Sequence, residues 1–156
     1  MEQSGSKTSS NPVVEAQMLI RKPVQEVFNA FIDPEYTKNF WFTKSSGKLE
    51  EGKTVIWEWE MYGVSTEVDV RAIEDNKRIA IDWEQGQTQV EFNFEAKSEL
   101  STYIIIRQSG FKNEGTALFK ELIDTTGGFT TVVDGLKAYL EHGINLNLIA
   151  DKFAEK

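Results

Sequence analysis

"GGFTTVVDGLKAYLEHGINLNLIADKFAEK" (residues 127–156) closes the chain, and its apolar residues recur every three or four positions. At about 100° per residue, Phe129, Val132, Val133, Leu136, Tyr139, Leu140, Gly143, Asn147 and Ala150 share one side. The spacing predicts a long helix that starts after Gly127 and Gly128, with a looser helical lead-in at "GTALFKELID" (115–124). A run of about 25 residues is roughly 37 Å long, enough to cross a sheet. Lys137, Glu141, His142 and Asp151 are expected to point away from the stripe. Leu148 and Ile149 also fall outside it, as apolar surface for small helices or a second subunit to cover, so monomer and homodimer both stay open.

Upstream, from residue 47 to 109, the period changes from helical to two. "GKLE" (47–50), "TVIWEWE" (54–60), "VSTEVDVRAI" (64–73), "RIAIDWE" (78–84), "TQVEFNFEA" (88–96) and "STYIIIRQS" (101–109) read as six strands, separated by the turn signals "EEGK", "MYG", "EDNK", "QGQ" and "KSEL". Short turns between successive strands imply an antiparallel meander. Apolar side chains hold one phase: Val55, Trp57, Trp59 and Met61; Val68 and Val70; Ile79, Ile81 and Trp83; Val90, Phe92 and Phe94. One face is therefore wet and the other covers something. Before residue 47, "VVEAQMLI" (13–20) reads as a first strand, "PVQEVFNAFI" (23–32) as a helix opened by Pro23, and "DPEYTKNF" (33–40) as a second short helix opened by Asp33 and Pro34. The order predicts an α+β fold, a curved antiparallel sheet of about seven strands wrapped around a long C-terminal helix. Residues 1–12, Ser-rich with Met1 as the one apolar side chain apart from Pro12, are expected to be a flexible tail.

Composition narrows the chemistry. With Lys+Arg 17 against Asp+Glu 25 the net charge is -8, which repels phosphate backbones and anionic lipid, and no basic cluster overrides it. Nucleic acid is excluded on this reading. The absence of cysteine removes thiolate metal sites, catalytic thiols and disulfides, and it fits a cytoplasmic protein. No apolar run approaches the roughly 20 residues of a membrane span. His142 is the sole histidine; it falls roughly 120° from the centre of the stripe, which reads as a surface residue with no nucleophile patterned beside it. A site for zinc or iron would need an otherwise all-carboxylate shell, so no metal or cofactor is expected. Glu50, Glu51, Asp69, Asp82 and Glu84 fall mostly on the outer phase, as a solvated face rather than an acid–base pair, with Asp82 left open as a strand-end group near a pocket mouth.

The element order, with "RKPVQEVFNAFIDPEYTKNFWF" (21–42), "TYIIIRQSGF" (102–111) and the closing helix, resembles the START-like or helix-grip (SRPBCC) superfamily. Within it the chain is most similar to the family named after the activator of the ninety-kilodalton heat-shock chaperone's ATPase. The resemblance covers residues 13–154 and implies a single START-like domain over 13–156. It also implies a cavity between sheet and helix that takes lipid-, polyketide- or phenolic-like molecules. On that implication the ligand-facing residues are Trp41, Trp57, Trp59, Trp83, Phe92, Phe94, Ile104, Ile106, Gln108, Phe129, Val133 and Leu136. A solid aromatic core is the competing reading of the same residues, and a buried Gln108 is also what satisfies a nearby backbone group or water. The resemblance implies two further roles: docking on a heat-shock ATPase in a stress response, and a cavity enzyme of cyclase or hydrolase type. No recognisable nucleophile, metal or acid–base pair supports the enzyme.

Overall fold

A computed structural model of the protein describes residues 11–84 and 86–153. Seven antiparallel strands form one sheet in the order β1-β7-β6-β5-β4-β3-β2: β1 Val14–Ile20, β2 Lys44–Ser45, β3 Thr54–Trp59, β4 Val64–Glu74, β5 Arg78–Trp83, β6 Thr88–Ser98 and β7 Ser101–Ser109. β2 to β7 follow one another as the period-two pattern requires. β1 closes the other edge by pairing with β7, from Val14 opposite Gln108 to Ile20 opposite Thr102. The helices are α1 Val24–Ile32, α2 Pro34–Thr37, α3 Gly115–His142 and α4 Leu148–Lys152. This is the helix-grip arrangement, with α3 across the inner face of the sheet. Most of the expected tail, residues 1–10, lies outside the described residues.

Local chemistry accounts for the short helices. Asp33 caps α2, its carboxylate accepting from the Glu35 backbone N–H at 3.0 Å, and Pro34 fills the first turn, where its missing donor costs nothing. Thr37, buried, donates its hydroxyl to the Ala30 carbonyl at 2.6 Å and locks α2 against α1.

Several expectations are corrected. "GKLE" is not a strand; the edge strand is Lys44–Ser45, paired with Trp57 and Glu58. Met61 leaves the phase of Trp57 and Trp59 because β3 ends at Trp59 and Glu60–Tyr62 turn as a 3-10 helix, exposing it. The lead-in and the long helix are one continuous α3 of 28 residues with Gly127 and Gly128 inside it, about 42 Å long. That helix ends earlier than the stripe: Gly143 takes a left-handed φ of 68° and its N–H returns to Ala138 and Tyr139, the geometry that glycine permits at a helix end. The chain then reverses, so Asn147 is exposed, while Ile149 is buried in α4. The apolar surface left at Leu148 and Ile149 is thus covered by the same chain. Leu148 reaches Gly135, where a Cβ would meet Phe40 at 3.3 Å and Leu148 at 3.6 Å. Lys137 and Glu141 also do not point away: the Lys137 ammonium donates to the Leu19 carbonyl at 2.8 Å and to Glu141 at 2.7 Å, and Glu141 accepts from the Arg21 backbone N–H.

Candidate functional site

The core is solid for most of its length. Ile79, Ile81, Val90, Phe92, Ile104 and Ile106 from the sheet meet Val27, Phe31, Val132, Val133 and Leu136 from the helices, all of them buried. At one end of the sheet the filling stops, and a cavity of about 560 Å³ opens between the ends of β3, β4 and β5, the middle of α3 and the returning α4. That volume suits a small molecule.

Its walls are aromatic. Trp41, on the loop after α2, sits at the centre with only 7% exposed; it stacks on Trp83 (centroids 5.8 Å apart, planes 17°) and meets Trp57, Trp59 and Phe129 edge-on at 4.9, 6.4 and 5.8 Å. Edge-to-face and offset contacts suit the ring quadrupoles, so the tryptophans hold one another in place. The period-two reading of β3 puts Trp57 and Trp59 on the same face, yet they differ. Trp57 is 1% exposed and lies in the core, wedged against Trp41 and Phe42; Trp59, at the strand end, lines the cavity.

Of the twelve residues singled out in the sequence, Trp41, Trp59, Trp83, Gln108 and Phe129 line this cavity. Trp57, Phe92, Phe94, Ile104, Ile106, Val133 and Leu136 are buried behind it and do not appear among its lining residues. The lining also takes in Tyr62 and Val64 from the β3–β4 turn, Glu84, and Thr125, Gly128 and Val132 of α3, with Ile149 and Phe153 from the returning segment. Val132 belongs to the helical stripe. Tyr62 and Val64 depend on where the β3–β4 turn carries the chain, Ile149 and Phe153 on the reversal at Gly143, and Thr125 and Gly128 on α3 running unbroken from Gly115. Glu84 departs from its outward assignment: it has a left-handed φ of 57° and turns to the cavity mouth, where it accepts from the Thr88 hydroxyl at 3.0 Å. Asp82 stays on the outer side in an ion pair with Arg71 at 3.0 Å, and His142 is exposed.

Gln108 is the polar group deepest in this wall. It is 3% exposed, and its Nε2 donates to Thr88 Oγ1 at 3.1 Å. Among the described residues no three His, Asp or Glu side chains gather as a metal centre requires, and no helix is long and apolar enough to cross a membrane.

The sequence profile of the family described as "Activator of Hsp90 ATPase homolog 1-like protein" matches residues 21–141. The chain belongs to this family. An X-ray structure of a Staphylococcus saprophyticus protein is 30% identical, with 86% of this chain and 96% of that one covered and a TM-score of 0.76. The Aha1 dimer from Colwellia psychrerythraea, solved in solution, superposes over 85% of this chain and 98% of that one at 16% identity and a TM-score of 0.73. DynU16, from the dynemicin biosynthetic locus, matches at 22% identity and a TM-score of 0.75 over 85% of this chain but 48% of its own. These last two show the shared fold. Among curated proteins, no significant match is found.

Proposed function

We propose that this family member is a binding protein for a hydrophobic or aromatic small molecule, held in the cavity between the sheet and α3. The observation that carries this is the contrast within one core: closely filled along most of the sheet, and open over about 560 Å³ where Trp41, Trp59, Trp83 and Phe129 converge. A chain folding for stability alone gains by covering such a cleft, since apolar wall left in contact with water forgoes its burial. The aromatic walls offer large, rigid contact area.

A thermal-shift screen of the full chain against fatty acids, sterols, polyketides and phenolics tests the reading. A ligand at 100 times its Kd adds about 2.7 kcal/mol, a shift of several degrees for this size. A hit that also perturbs tryptophan emission supports it, and a flat result across all classes removes it.

A second reading, docking on a heat-shock ATPase, rests on the outer half of α3. Phe119 and Ile123, one turn apart, are 69% and 71% exposed. Stimulated chaperone ATP turnover that is lost in Phe119→Ser is its test.

A further inference from the structure

The polar side of the cavity is oriented by a chain of three residues. Thr88, opposite Trp83 in the β5–β6 register, has one hydroxyl proton and two acceptors claiming it, Glu84 Oε1 at 3.0 Å and the Trp83 carbonyl at 3.4 Å. Both are acceptors only, so Thr88 Oγ1 must receive its remaining bond, and what it receives is the Gln108 Nε2–H at 3.1 Å. With Nε2 toward Thr88 both side-chain bonds are kept, whereas with Oε1 toward Thr88 the hydroxyl would have to abandon Glu84. Gln108 Oε1 is thereby left pointing away from its partner, on a side chain 3% exposed that lines the cavity, and it takes no hydrogen bond from the described residues. The oxygen is not one of the buried side-chain atoms left without a partner, which are Asp82 Oδ1 and Asn93 Nδ2 among the described residues, so it is open to the cavity, where a ligand's hydroxyl or N–H can take the place of water.

The remaining charge points the same way. Glu84 is the one charged side chain among the described lining residues. Lys152 stands over the Phe153 ring at 5.9 Å and is not part of the lining. A carboxylate ligand would therefore meet Gln108 Oε1 and Glu84 without a cation to receive it.

We infer that the cavity selects ring-bearing ligands that end in a hydrogen-bond donor, a hydroxyl or N–H directed to Gln108 Oε1, and that it rejects their carboxylate counterparts. This rests on the small-molecule reading of the same cavity. Gln108 contacts the ligand, and Thr88 is a positioning residue acting through it.

The test uses the full chain and three probes of one shape: 4-hydroxybiphenyl, 4-methoxybiphenyl and biphenyl-4-carboxylate. Binding is followed by NMR at the indole N–H signals of Trp59 and Trp83. The hydroxyl compound should bind about tenfold tighter than the methoxy compound, the worth of one buried hydrogen bond, and the carboxylate weakest. In Gln108→Leu the preference should vanish. In Thr88→Val, which frees the amide to present its NH₂, it should shrink or reverse in favour of the methoxy acceptor. Equal binding of the hydroxyl and methoxy probes, or tightest binding of the carboxylate, overturns the selection while leaving the cavity reading intact. An undiminished preference in Thr88→Val overturns the positioning role even where Gln108→Leu fails to fold. No binding of any probe overturns the inference and counts against the reading beneath it.

Discussion

The Tyr62 hydroxyl lies 2.7 Å from the Ile149 carbonyl oxygen and 2.8 Å from that of Ala150, joining parts of the chain 87 residues apart. Tyr62 belongs to the 3-10 turn after β3, and Ile149 to α4, a helix of five residues too short to hold itself. Both residues line the cavity. The bond is thus a clasp that fixes the returning segment over the mouth.

Tyr62→Phe keeps the ring and removes the clasp. Loss of one half-buried hydrogen bond should cost about 1 kcal/mol, visible in urea unfolding. Backbone amides of α4 should exchange faster than in the parent while those of β6 and β7 stay as they were. Equal protection of α4 in the two proteins would show that Ile149 and its apolar neighbours hold the segment without the tyrosine.

Gly127 and Gly128 sit side by side within α3 although neither needs to be glycine for space. An added Cβ at Gly128 meets nothing within 4 Å, and at Gly127 only Lys152 Cε at 3.8 Å. Alanine in place of either should stabilise the helix by up to about 1 kcal/mol. The two should differ in binding, because Gly128 lines the cavity and Gly127 does not: Gly127→Ala raises the melting temperature with ligand affinity retained, and Gly128→Ala raises it while weakening the ligand. Equal affinity in both variants would mean that the ligand does not approach α3 at this turn.

Those glycines also show where reading the sequence stops. Intrinsic propensity marks Gly127–Gly128 as a boundary, yet helix runs through them, and the true end lies at Gly143, where only the left-handed φ distinguishes one glycine from another. The strands are legible because alternation is a local property: β7 spans Ser101–Ser109 as the pattern predicts, and Val68, Val70, Ile79 and Ile81 all face inward. The cavity is not legible in the same way. Trp57 and Trp59 carry the same phase and the same chemistry, and what separates core from wall is that β3 ends at Trp59. Ile149 and Phe153 reach the mouth through a reversal that no periodicity encodes.

Trp41 and Trp59 should therefore separate by function. Trp41 contacts Phe31, Phe42, Trp57, Trp59, Trp83, Phe92 and Phe129 within 6.4 Å, so Trp41→Ala should cost about 3–5 kcal/mol. Trp59 is only partly buried, and Trp59→Ala should cost clearly less in unfolding while lowering affinity for any aromatic ligand. A Trp59→Ala protein that binds its ligand unchanged would move the ligand away from the β3 end of the cavity.

Acid should weaken the far end of α3 through Glu141. Burial by itself raises this carboxyl, but the Lys137 ammonium and the Arg21 backbone N–H, both bonded to it at 2.7 Å, with the Lys137 and exposed His142 charges, hold it below the ordinary carboxylate value. A group depressed in the folded state favours folding above its unfolded pKa, about 4.3 for glutamate, and loses that contribution as pH falls through the lower folded value. Glu141→Gln should be less stable than the parent at pH 7, where the parent's carboxylate is charged and bonded. Its stability should fall less steeply than the parent's below about pH 4, so the two curves converge in acid. Parallel curves from pH 7 to the acid limit would show that the Lys137–Glu141–Arg21 junction contributes shape to the β1–α3 contact and no charge-dependent stability.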